Sequence, residues 1–299
     1  MDASPTRQSW TVLTLAASAR EHLATRGFDE ARLTADLLLA SVLRLSRLDL
    51  YLQYDRPLTS SEIGTFRDLL KRRLRHEPLQ YILGETEFMG LTLKVDPHVL
   101  IPRPETELLA EKALETIEDL PPGPVRVLDI GTGSGNIAIA LAHYAPEAHV
   151  TAIDVSDKAL AVAAENVDRH RLKNVSLQKL DLFSEELDDR RFSLVLSNPP
   201  YVSADEFEHL QPEVRDFEPK VATTDDADGF RFIKRISELA GSHLLPGGAL
   251  IVELGAGQSP AALEIVRSAG LVNVEIFKDY SSIPRVIRGW QPDERAPTR

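Results

Sequence analysis

The chain contains no cysteine among its 299 residues. A disulfide framework and thiolate metal sites are therefore excluded, and the absence is compatible with a reducing cytosol. No apolar run approaches the roughly 20 residues that a membrane-spanning helix needs. The first ten residues are polar and lack the charged-then-apolar pattern of a signal peptide. We therefore expect a cytoplasmic protein that binds no metal and enters no membrane.

Positive charge is scarce and unevenly distributed along the chain. Residues 1–80 hold 12 basic and 10 acidic residues, whereas residues 81–299 hold 22 basic and 36 acidic residues. The second segment therefore carries a net charge of −14, which makes it a poor surface for phosphate backbones. We expect no direct nucleic-acid substrate, although charge alone leaves a DNA-modifying enzyme open.

The spacing of apolar residues divides the chain into three segments. Leucine and alanine recur at helical spacing in residues 9–76, which predicts a small helical bundle over residues 1–80. An alternating apolar pattern predicts a linker with a β-hairpin over residues 81–104. Strands and helices alternate over residues 105–299, the pattern of a doubly wound α/β sheet. A proline-rich connector at 121–124 precedes the first central strand, and the last two strand-like runs predict a terminal antiparallel hairpin.

A glycine-rich turn follows the first central strand of the predicted sheet. Such a turn lets the backbone approach a ligand closely and delivers the N-terminus of the next helix. Taken alone, the turn suits a dinucleotide equally well. Its Gly-x-Gly-x-Gly spacing differs from the Gly-x-Gly-x-x-Gly pattern of dinucleotide sites, which favours S-adenosylmethionine over NAD. The turn residues predicted to bind the cofactor are Gly131, Thr132, Gly133, Ser134 and Gly135.

Acidic residues at two later strand ends extend the predicted cofactor site. Asp154 stands 19 residues after Gly135, where a carboxylate can accept hydrogen bonds from both ribose hydroxyls. Asp181 ends the next strand and could accept a hydrogen bond from the adenine amino group. Leu182 or Phe183 could pack on the adenine ring. The structural alternatives are a solvated strand end or helix N-cap for Asp154, and a turn residue for Asp181.

The run Asn198-Pro199-Pro200-Tyr201 follows an apolar strand-like segment and indicates a reaction. An amide nitrogen is a poor nucleophile, because its lone pair is delocalised into the carbonyl. The Asn198 side-chain oxygen and the Pro199 carbonyl can each accept one N–H of a flat NH2 group, which directs the nitrogen lone pair at a methyl donor. The same acceptors stabilise the positive charge that grows on the nitrogen. All four residues are therefore predicted to be catalytic and substrate-binding, with Tyr201 stacking on the substrate. The alternative is an ordinary Asn-Pro turn.

With these residues, the chain resembles the bacterial peptide chain release factor glutamine methyltransferases. The resemblance implies a class I S-adenosylmethionine-dependent methyltransferase with a seven-stranded sheet, joined to an N-terminal helical domain that docks the protein substrate. It implies methylation of the Gln side-chain amide in the Gly-Gly-Gln motif of release factors. It also implies that Asn198 touches both the cofactor and the substrate. The stretches that carry the resemblance are 80–84, 101–107, 131–135 and 198–202.

The sequence departs from the family pattern at two positions and leaves three questions open. Asn136 stands where alanine is common, and Leu182 stands where an aromatic residue is frequent. The sequence assigns no chemistry to the stretch 103–107. The basic helix near 61–76 is either a solvated face or a contact patch. Two other enzymes could use the same corner: a glutamine methyltransferase of a large-subunit ribosomal protein, and, less favoured by the charge, an amino-group DNA methyltransferase.

Overall fold

The computed structural model describes residues 10–120 and 123–293. Contacts divide the chain into two units, Met1–Gly84 and Glu85–Arg299. Residues 1–9 of the predicted helical domain, and Pro121 and Pro122 of the predicted connector, lie outside the described residues. Because the division falls after Gly84, the hairpin within the predicted 81–104 linker belongs to the second unit.

The first unit consists of short helices whose apolar sides form one core. The first helix begins after a capping box between Thr11 and Thr14, and the fourth begins after one between Thr59 and Glu62. These reciprocal bonds satisfy backbone N–H groups that a helix start leaves unpaired. Leucines and Phe66 on the inner helix sides are buried. The helices are α1 (Val12–Ala24), α2 (Ala31–Leu43), α3 (Arg47–Leu52), α4 (Ser60–Arg73) and α5 (Leu79–Leu83).

The second unit begins with a two-stranded antiparallel hairpin and continues as an alternating α/β chain. Its strands are β1 (Glu85–Phe88), β2 (Leu91–Lys94), β3 (Arg126–Ile130), β4 (His149–Asp154), β5 (Val175–Lys179), β6 (Phe192–Ser197), β7 (Leu244–Glu253), β8 (Val272–Lys278) and β9 (Pro284–Trp290). Its helices are α6 (Pro104–Asp119), α7 (Asn136–Tyr144), α8 (Asp157–Arg169), α9 (Ala204–Phe207), α10 (Pro212–Phe217), α11 (Lys220–Thr223), α12 (Arg231–His243) and α13 (Ser259–Ser268).

Seven strands form the central sheet in the order β5-β4-β3-β6-β7-β9-β8. The first five of these pair in parallel, whereas β9 runs antiparallel to both β7 and β8. The doubly wound sheet with its terminal antiparallel hairpin is therefore confirmed. Two apolar clusters built from the sheet and its helices form the core of this unit. Strand β6 is buried along its whole length, as expected of a central parallel strand.

The strand order fixes where a ligand can bind. Strand β3 has its successor β4 on one side and β6 on the other, so the direction of winding reverses there. Open parallel sheets bind ligands at the carboxyl ends of the strands beside such a reversal. Both motifs singled out in the sequence follow these two strands, the glycine turn after β3 and the Asn-Pro-Pro-Tyr corner after β6. In the described residues, no helix has both the length and the apolar character of a membrane span.

Candidate methyl-transfer site

A cavity of about 340 Å³ lies at the carboxyl ends of the parallel strands. This volume is in the range of small-molecule sites. The lining combines apolar side chains with a few polar groups, as such sites generally do. Many of its lining residues come from the ends of β3, β4, β5 and β6, and among them is most of the predicted site: Gly131, Gly133, Asp154, Asp181, Leu182, Asn198, Pro199 and Pro200.

The glycine turn contributes open backbone to this cavity. Gly131 and Gly133 have φ angles of 73° and 55°, and a Cβ added to either would meet no atom within 4 Å. A side chain there would therefore occupy the space available to a ligand. Gly135 has another role, because a Cβ would lie 3.0 Å from Ile139 Cδ1 and 3.3 Å from Ala163 Cβ. It permits α7 and α8 to pack closely.

Two polar residues of the turn, Thr132 and Ser134, are buried and are not among the cavity-lining residues. The Thr132 hydroxyl donates a hydrogen bond of 2.6 Å to Asp129 Oδ2 at the end of β3. Asp129 Oδ1 has no hydrogen-bond partner in the described residues. The pKa of Asp129 is raised to about 7, mainly by burial and also by the charge of Asp154, although the hydrogen bond from Thr132 lowers it. Thr132 and Asp129 therefore stabilise the turn from the buried side and do not contact the cavity.

Asp154 lies at the end of β4, next to the glycine turn. One carboxylate oxygen accepts a 2.9 Å hydrogen bond from the Gly133 N–H, and the other accepts one of 2.9 Å from the Ser156 N–H. Burial nevertheless raises the pKa of this carboxyl group. Each carboxylate oxygen can accept more than one hydrogen bond, so both retain capacity for a ligand's hydroxyls. The two backbone bonds hold the carboxylate at the cavity wall.

The segment after β5 forms another part of the cavity wall. Asp181 accepts hydrogen bonds from the Phe183 N–H at 3.0 Å and the Ser184 hydroxyl at 2.7 Å, so its carboxylate stabilises a turn. These bonds lower the pKa of Asp181, the bond from Phe183 having the largest effect. Leu182 is buried, whereas the Phe183 ring is partly exposed. The Arg231 guanidinium carbon lies 4.1 Å from the centroid of that ring. Leu182 and Phe183 both line the cavity.

The corner after β6 presents Asn198, Pro199 and Pro200 to the cavity. The preceding Ser197 hydroxyl donates a 2.7 Å hydrogen bond to the Ile130 carbonyl, which joins the ends of β6 and β3. Asn198 Nδ2 donates a 3.0 Å hydrogen bond to Thr106 Oγ1 in the first turn of α6. The side-chain oxygen of Asn198 is thereby left to accept hydrogen bonds from a ligand.

Tyr201 is not among the cavity-lining residues, which differs from its predicted stacking position. Its hydroxyl donates a 3.3 Å hydrogen bond to Glu253 Oε1 at the end of β7. Its backbone carbonyl accepts a 2.9 Å hydrogen bond from Gln258 Nε2. Burial raises the pKa of Tyr201, and the charge of Glu253 adds to this effect. Since β7 lies beside β6 in the sheet, the tyrosine after β6 packs toward the end of β7 and anchors the corner.

Several functional candidates escaped the sequence reasoning. Glu253 is 1% exposed, and burial raises its pKa to about 7 although hydrogen bonding by the side chains of Thr106 and Tyr201 lowers it. The sequence signal that could have identified Glu253 is a charged residue at the end of an apolar strand. Arg103 Nη2 donates to both carboxylate oxygens of the buried Glu218, at 2.6 and 2.8 Å. Pairing at a distance of 115 residues has no local signature in the sequence.

The cavity fits a nucleoside cofactor with a flexible polar tail. Apolar side chains after β5 suit a flat ring, the Asp154 carboxylate suits ribose hydroxyls, and the open glycine backbone leaves room for close approach. In residues 10–120 and 123–293, no group of three or more His, Asp or Glu side chains is arranged to hold a metal ion. The arrangement can therefore bind such a cofactor beside an amide oxygen that faces its reactive end.

Comparison with known proteins agrees with this chemistry. The family described as the PrmC N-terminal domain matches residues 14–84, and the family described as the Methyltransferase small domain matches residues 106–211. The release factor glutamine methyltransferase of Geobacter sulfurreducens is 43% identical over 280 residues, which cover 94% of this chain and 96% of the relative. The enzyme of the same name from Chlorobaculum tepidum is 41% identical over 289 residues, covering 94% and 97%.

Among solved structures, the hMettl16 catalytic domain in complex with MAT2A 3′UTR hairpin 1 is similar to this chain. It superimposes with a TM-score of 0.56 at 19% sequence identity, covering 94% of this chain and 93% of the other. At this identity, the similarity concerns the fold alone.

Proposed function

Because the chain belongs to the release factor glutamine methyltransferase family, we propose that it methylates the side-chain amide of the Gln in the Gly-Gly-Gln motif of a peptide chain release factor. The observation that carries this proposal is the hydrogen bond from Asn198 Nδ2 to Thr106 Oγ1 at 3.0 Å. It leaves the Asn198 oxygen as an acceptor at the cavity wall, where a substrate NH2 group needs one. We propose a cytoplasmic location, where this substrate is used in translation.

The reaction needs a methyl donor and the residues of the chain that bind it. S-adenosylmethionine, when bound, supplies a methyl group on a positively charged sulfur. Gly131, Gly133 and Asp154 would hold it, with Asp181 and Leu182 beside its ring. Thr132, Ser134 and Gly135 would act indirectly, because the first two are buried and the third packs two helices together.

The Asn-Pro-Pro-Tyr corner makes the amide nitrogen of the substrate Gln more nucleophilic. Asn198 Oδ1 accepts one N–H of the substrate amide, and the Pro199 carbonyl accepts the other. Fixing both hydrogens turns the nitrogen lone pair toward the methyl group. The positive charge that grows on nitrogen strengthens both hydrogen bonds in the transition state. Pro200 stiffens the chain, and Tyr201 holds the corner against β7 and does not stack on the substrate.

The direct test is mass spectrometry of candidate substrates after incubation with S-adenosylmethionine. We expect one added methyl group on the Gln side chain of the Gly-Gly-Gln peptide of a release factor. A large-subunit ribosomal protein and duplex DNA serve as the competing substrates. Faster methylation of either competitor would contradict the proposal and favour the corresponding alternative.

We further propose that the first unit docks the protein substrate, but through apolar side chains more than through its basic helix. Of the five cations of that helix segment, Arg73 is buried, Arg72 pairs with Glu77, and Lys71 pairs with Asp68. Pairing and burial therefore reduce the positive charge that these three residues can offer to a partner protein. The remaining two cations are Arg67 and Arg75.

A more prominent surface lies on and after α3. Leu48 and Leu52, one helical turn apart, are 68% and 70% exposed, and Tyr54 is exposed as well. Leu13 is also exposed and lies next to Tyr54, since its N–H donates a 2.9 Å hydrogen bond to the Tyr54 carbonyl. Exposed apolar side chains that lie together mark interaction surfaces. We call Leu13, Leu48, Leu52 and Tyr54 the α3 patch.

The α3 patch can be tested with full-length protein. The double variant Leu48→Ser and Leu52→Ser should raise KM for intact release factor and leave activity on a short Gly-Gly-Gln peptide unchanged. Val272→Ser, at a 42% exposed position on β8, is the matched control. The variant Arg67→Gln with Arg75→Gln tests the basic-helix alternative. An unchanged KM in the leucine variant would rule out docking through this patch.

A further inference from the structure

The stretch 103–107 opens α6 and connects three separate parts of the second unit. Arg103 holds Glu218, which directly precedes Pro219 and the cavity-lining residues of α11. Glu107 Oε1 accepts a 2.7 Å hydrogen bond from the Met89 N–H in the turn between β1 and β2. Thr106, between them, accepts the hydrogen bond from Asn198 Nδ2. The stretch 103–107 therefore contacts the Asn-Pro-Pro-Tyr corner, the segment that lines the cavity and the β1–β2 hairpin.

The contact between Thr106 and Asn198 raises the question of which way the amide faces. An amide can present either its oxygen or its NH2 group to a hydroxyl, because a hydroxyl can donate and accept. What decides the orientation is the third group, Glu253. Its carboxylate is buried, and hydrogen bonding by the Thr106 side chain lowers its pKa against the effect of burial, which places the two groups close together. Above its pKa of about 7 this carboxylate is ionised and only accepts hydrogen bonds, so the Thr106 hydrogen is then directed to Glu253 and its lone pair to Asn198. Asn198 must then turn its NH2 group toward Thr106.

We propose that Thr106 and Glu253 are positioning residues that fix the Asn198 amide with its oxygen facing the cavity. This inference rests on the proposed function for its catalytic consequence. The reversed amide would point an NH2 group at the substrate NH2 group, placing donor against donor. The reaction would lose an acceptor that it needs most in the transition state.

Glu253 has further contacts that suit it to this task. It accepts the hydrogen bond from the Tyr201 hydroxyl, so the same carboxylate holds the last residue of the corner directly and acts on the first, Asn198, through Thr106. Arg285 on β9 and Glu105 on α6 are the other charged groups that act on it. Its Oε2 atom has no hydrogen-bond partner among the described residues. A buried carboxylate with an unused oxygen is costly for stability, which favours a functional reason for its presence.

The amide orientation can be tested in the free protein, before any reaction. In NMR spectra, the side-chain NH2 signals of Asn198, identified by their loss in Asn198→Asp, should exchange slowly with water in the wild type. Thr106→Val keeps the shape and removes the acceptor, so the exchange should become at least about tenfold faster. Thr106→Ser should restore slow exchange. Thr116→Val is the matched control, since Thr116 is buried on the same helix but bonds to Lys112 and Arg288.

Kinetics provide the second readout. Thr106→Val should lower kcat by roughly tenfold or more, less than the roughly 10²-fold or larger loss on removing a transition-state partner outright. KM for release factor should change by less than about twofold, because positioning acts after docking. Glu253→Met should behave like Thr106→Val, whereas Glu253→Gln, which keeps an acceptor, should retain most activity.

The two readouts separate failure of this inference from failure of the proposed function. Fast exchange in the wild type, or slow exchange that survives Thr106→Val, would overturn the inference whatever the substrate is. A wild-type enzyme that leaves release factor unmethylated would overturn the proposed function alone, since the NMR result does not depend on it. If Thr106→Val and Thr116→Val lowered kcat equally, Thr106 would contribute only to the structure of α6 and not to the orientation of the Asn198 amide.

Discussion

The turns after β3 and β6 lie side by side in the sheet and are built from opposite kinds of residue. Residues 131–135 contain three glycines with positive φ angles, two of which leave open space at the cavity wall. Residues 198–201 contain two prolines and one oriented amide. The first turn leaves room for a ligand, and the second fixes a group that acts on one. Each turn is also backed by a buried carboxyl group with a pKa near 7, Asp129 and Glu253 respectively.

Because the two turns are built so differently, cofactor binding and reaction rate should respond to changes at different positions. Changes at the glycine turn should alter cofactor affinity and stability, because that turn works through backbone shape. Changes at the proline corner should alter turnover, because that corner works through hydrogen-bond acceptors used in the transition state.

The largest expected effect lies at the corner. Asn198→Ala should slow single-turnover methyl transfer by roughly 10²–10³-fold, which corresponds to about 3 kcal/mol in the barrier. Cofactor and release factor affinities should change much less. Asn198→Asp should not restore the rate fully, since a carboxylate changes the charge beside the sulfonium. A near-normal single-turnover rate in Asn198→Ala would remove the basis of the mechanism.

Two glycines of one turn should respond differently to alanine. Gly135→Ala combines an unfavourable φ with contacts at Ile139 and Ala163, so we expect about 2–4 kcal/mol of lost stability. Gly131→Ala has the strained φ but open space, so about 1–2 kcal/mol is expected together with weaker cofactor binding. Chemical denaturation and calorimetry measure the two quantities. Equal destabilisation by both changes would show that packing at Gly135 is unimportant.

Asp154→Ala should weaken S-adenosylmethionine binding by roughly 1–3 kcal/mol, the cost of leaving ribose hydroxyls without a buried partner. Isothermal titration calorimetry of the variant and the wild type provides the measurement. NAD serves as the control ligand and should bind neither protein. Equal affinities of wild type and variant for S-adenosylmethionine would remove Asp154 from the site.

The smallest expected effect is a pH dependence of stability. The folded-state pKa values of Asp129 and Glu253, about 7, exceed their ordinary values of 3.8 and 4.5. The folded protein therefore holds these protons more tightly than the unfolded chain does. The free energy of unfolding should fall as pH rises toward 7 and then level off.

Between pH 6 and pH 8, each group should contribute a decrease of roughly 1 kcal/mol. Denaturant titrations across this range measure the decrease. Glu253→Gln should remove one of the two contributions, since a glutamine does not titrate. An identical slope in wild type and Glu253→Gln would show that Glu253 is already ionised throughout this range.

The fold of the second unit is predictable from the sequence because its signals are local. The two motifs predict which strand ends form the site. The apolar pattern predicts strands that match β3 to β9 within a few residues, at 125–130, 149–154, 175–180, 192–197, 248–253, 271–278 and 284–289. The short helices α9, α10 and α11, of four to six residues, escaped because they span too few turns to show a periodicity. The sequence predicts helices from Glu105 and near 135–144, 157–169 and 228–243, but not α13, although Pro260 in its first turn is a recognised start signal.

Within the site, the sequence predicts residue types but not their contacts. Asn198 was assigned correctly to a strand end, yet its partner Thr106 lies 92 residues away on another element. Tyr201 was predicted to face the substrate because aromatic rings stack on flat groups, but the adjacent β7 offers its hydroxyl an acceptor, Glu253. Pairs brought together by the strand order have no local signal in a single sequence.

The claim that the corner acts through one oriented amide is tested most directly by a double-mutant cycle on single-turnover rates. If Thr106 works only through Asn198, Thr106→Val should slow the wild type roughly tenfold and have almost no further effect in Asn198→Ala. The coupling energy would then equal the effect of Thr106→Val alone. Rate losses that multiply independently would contradict the account, because Thr106 would then contribute to methyl transfer by a route that does not involve the Asn198 amide.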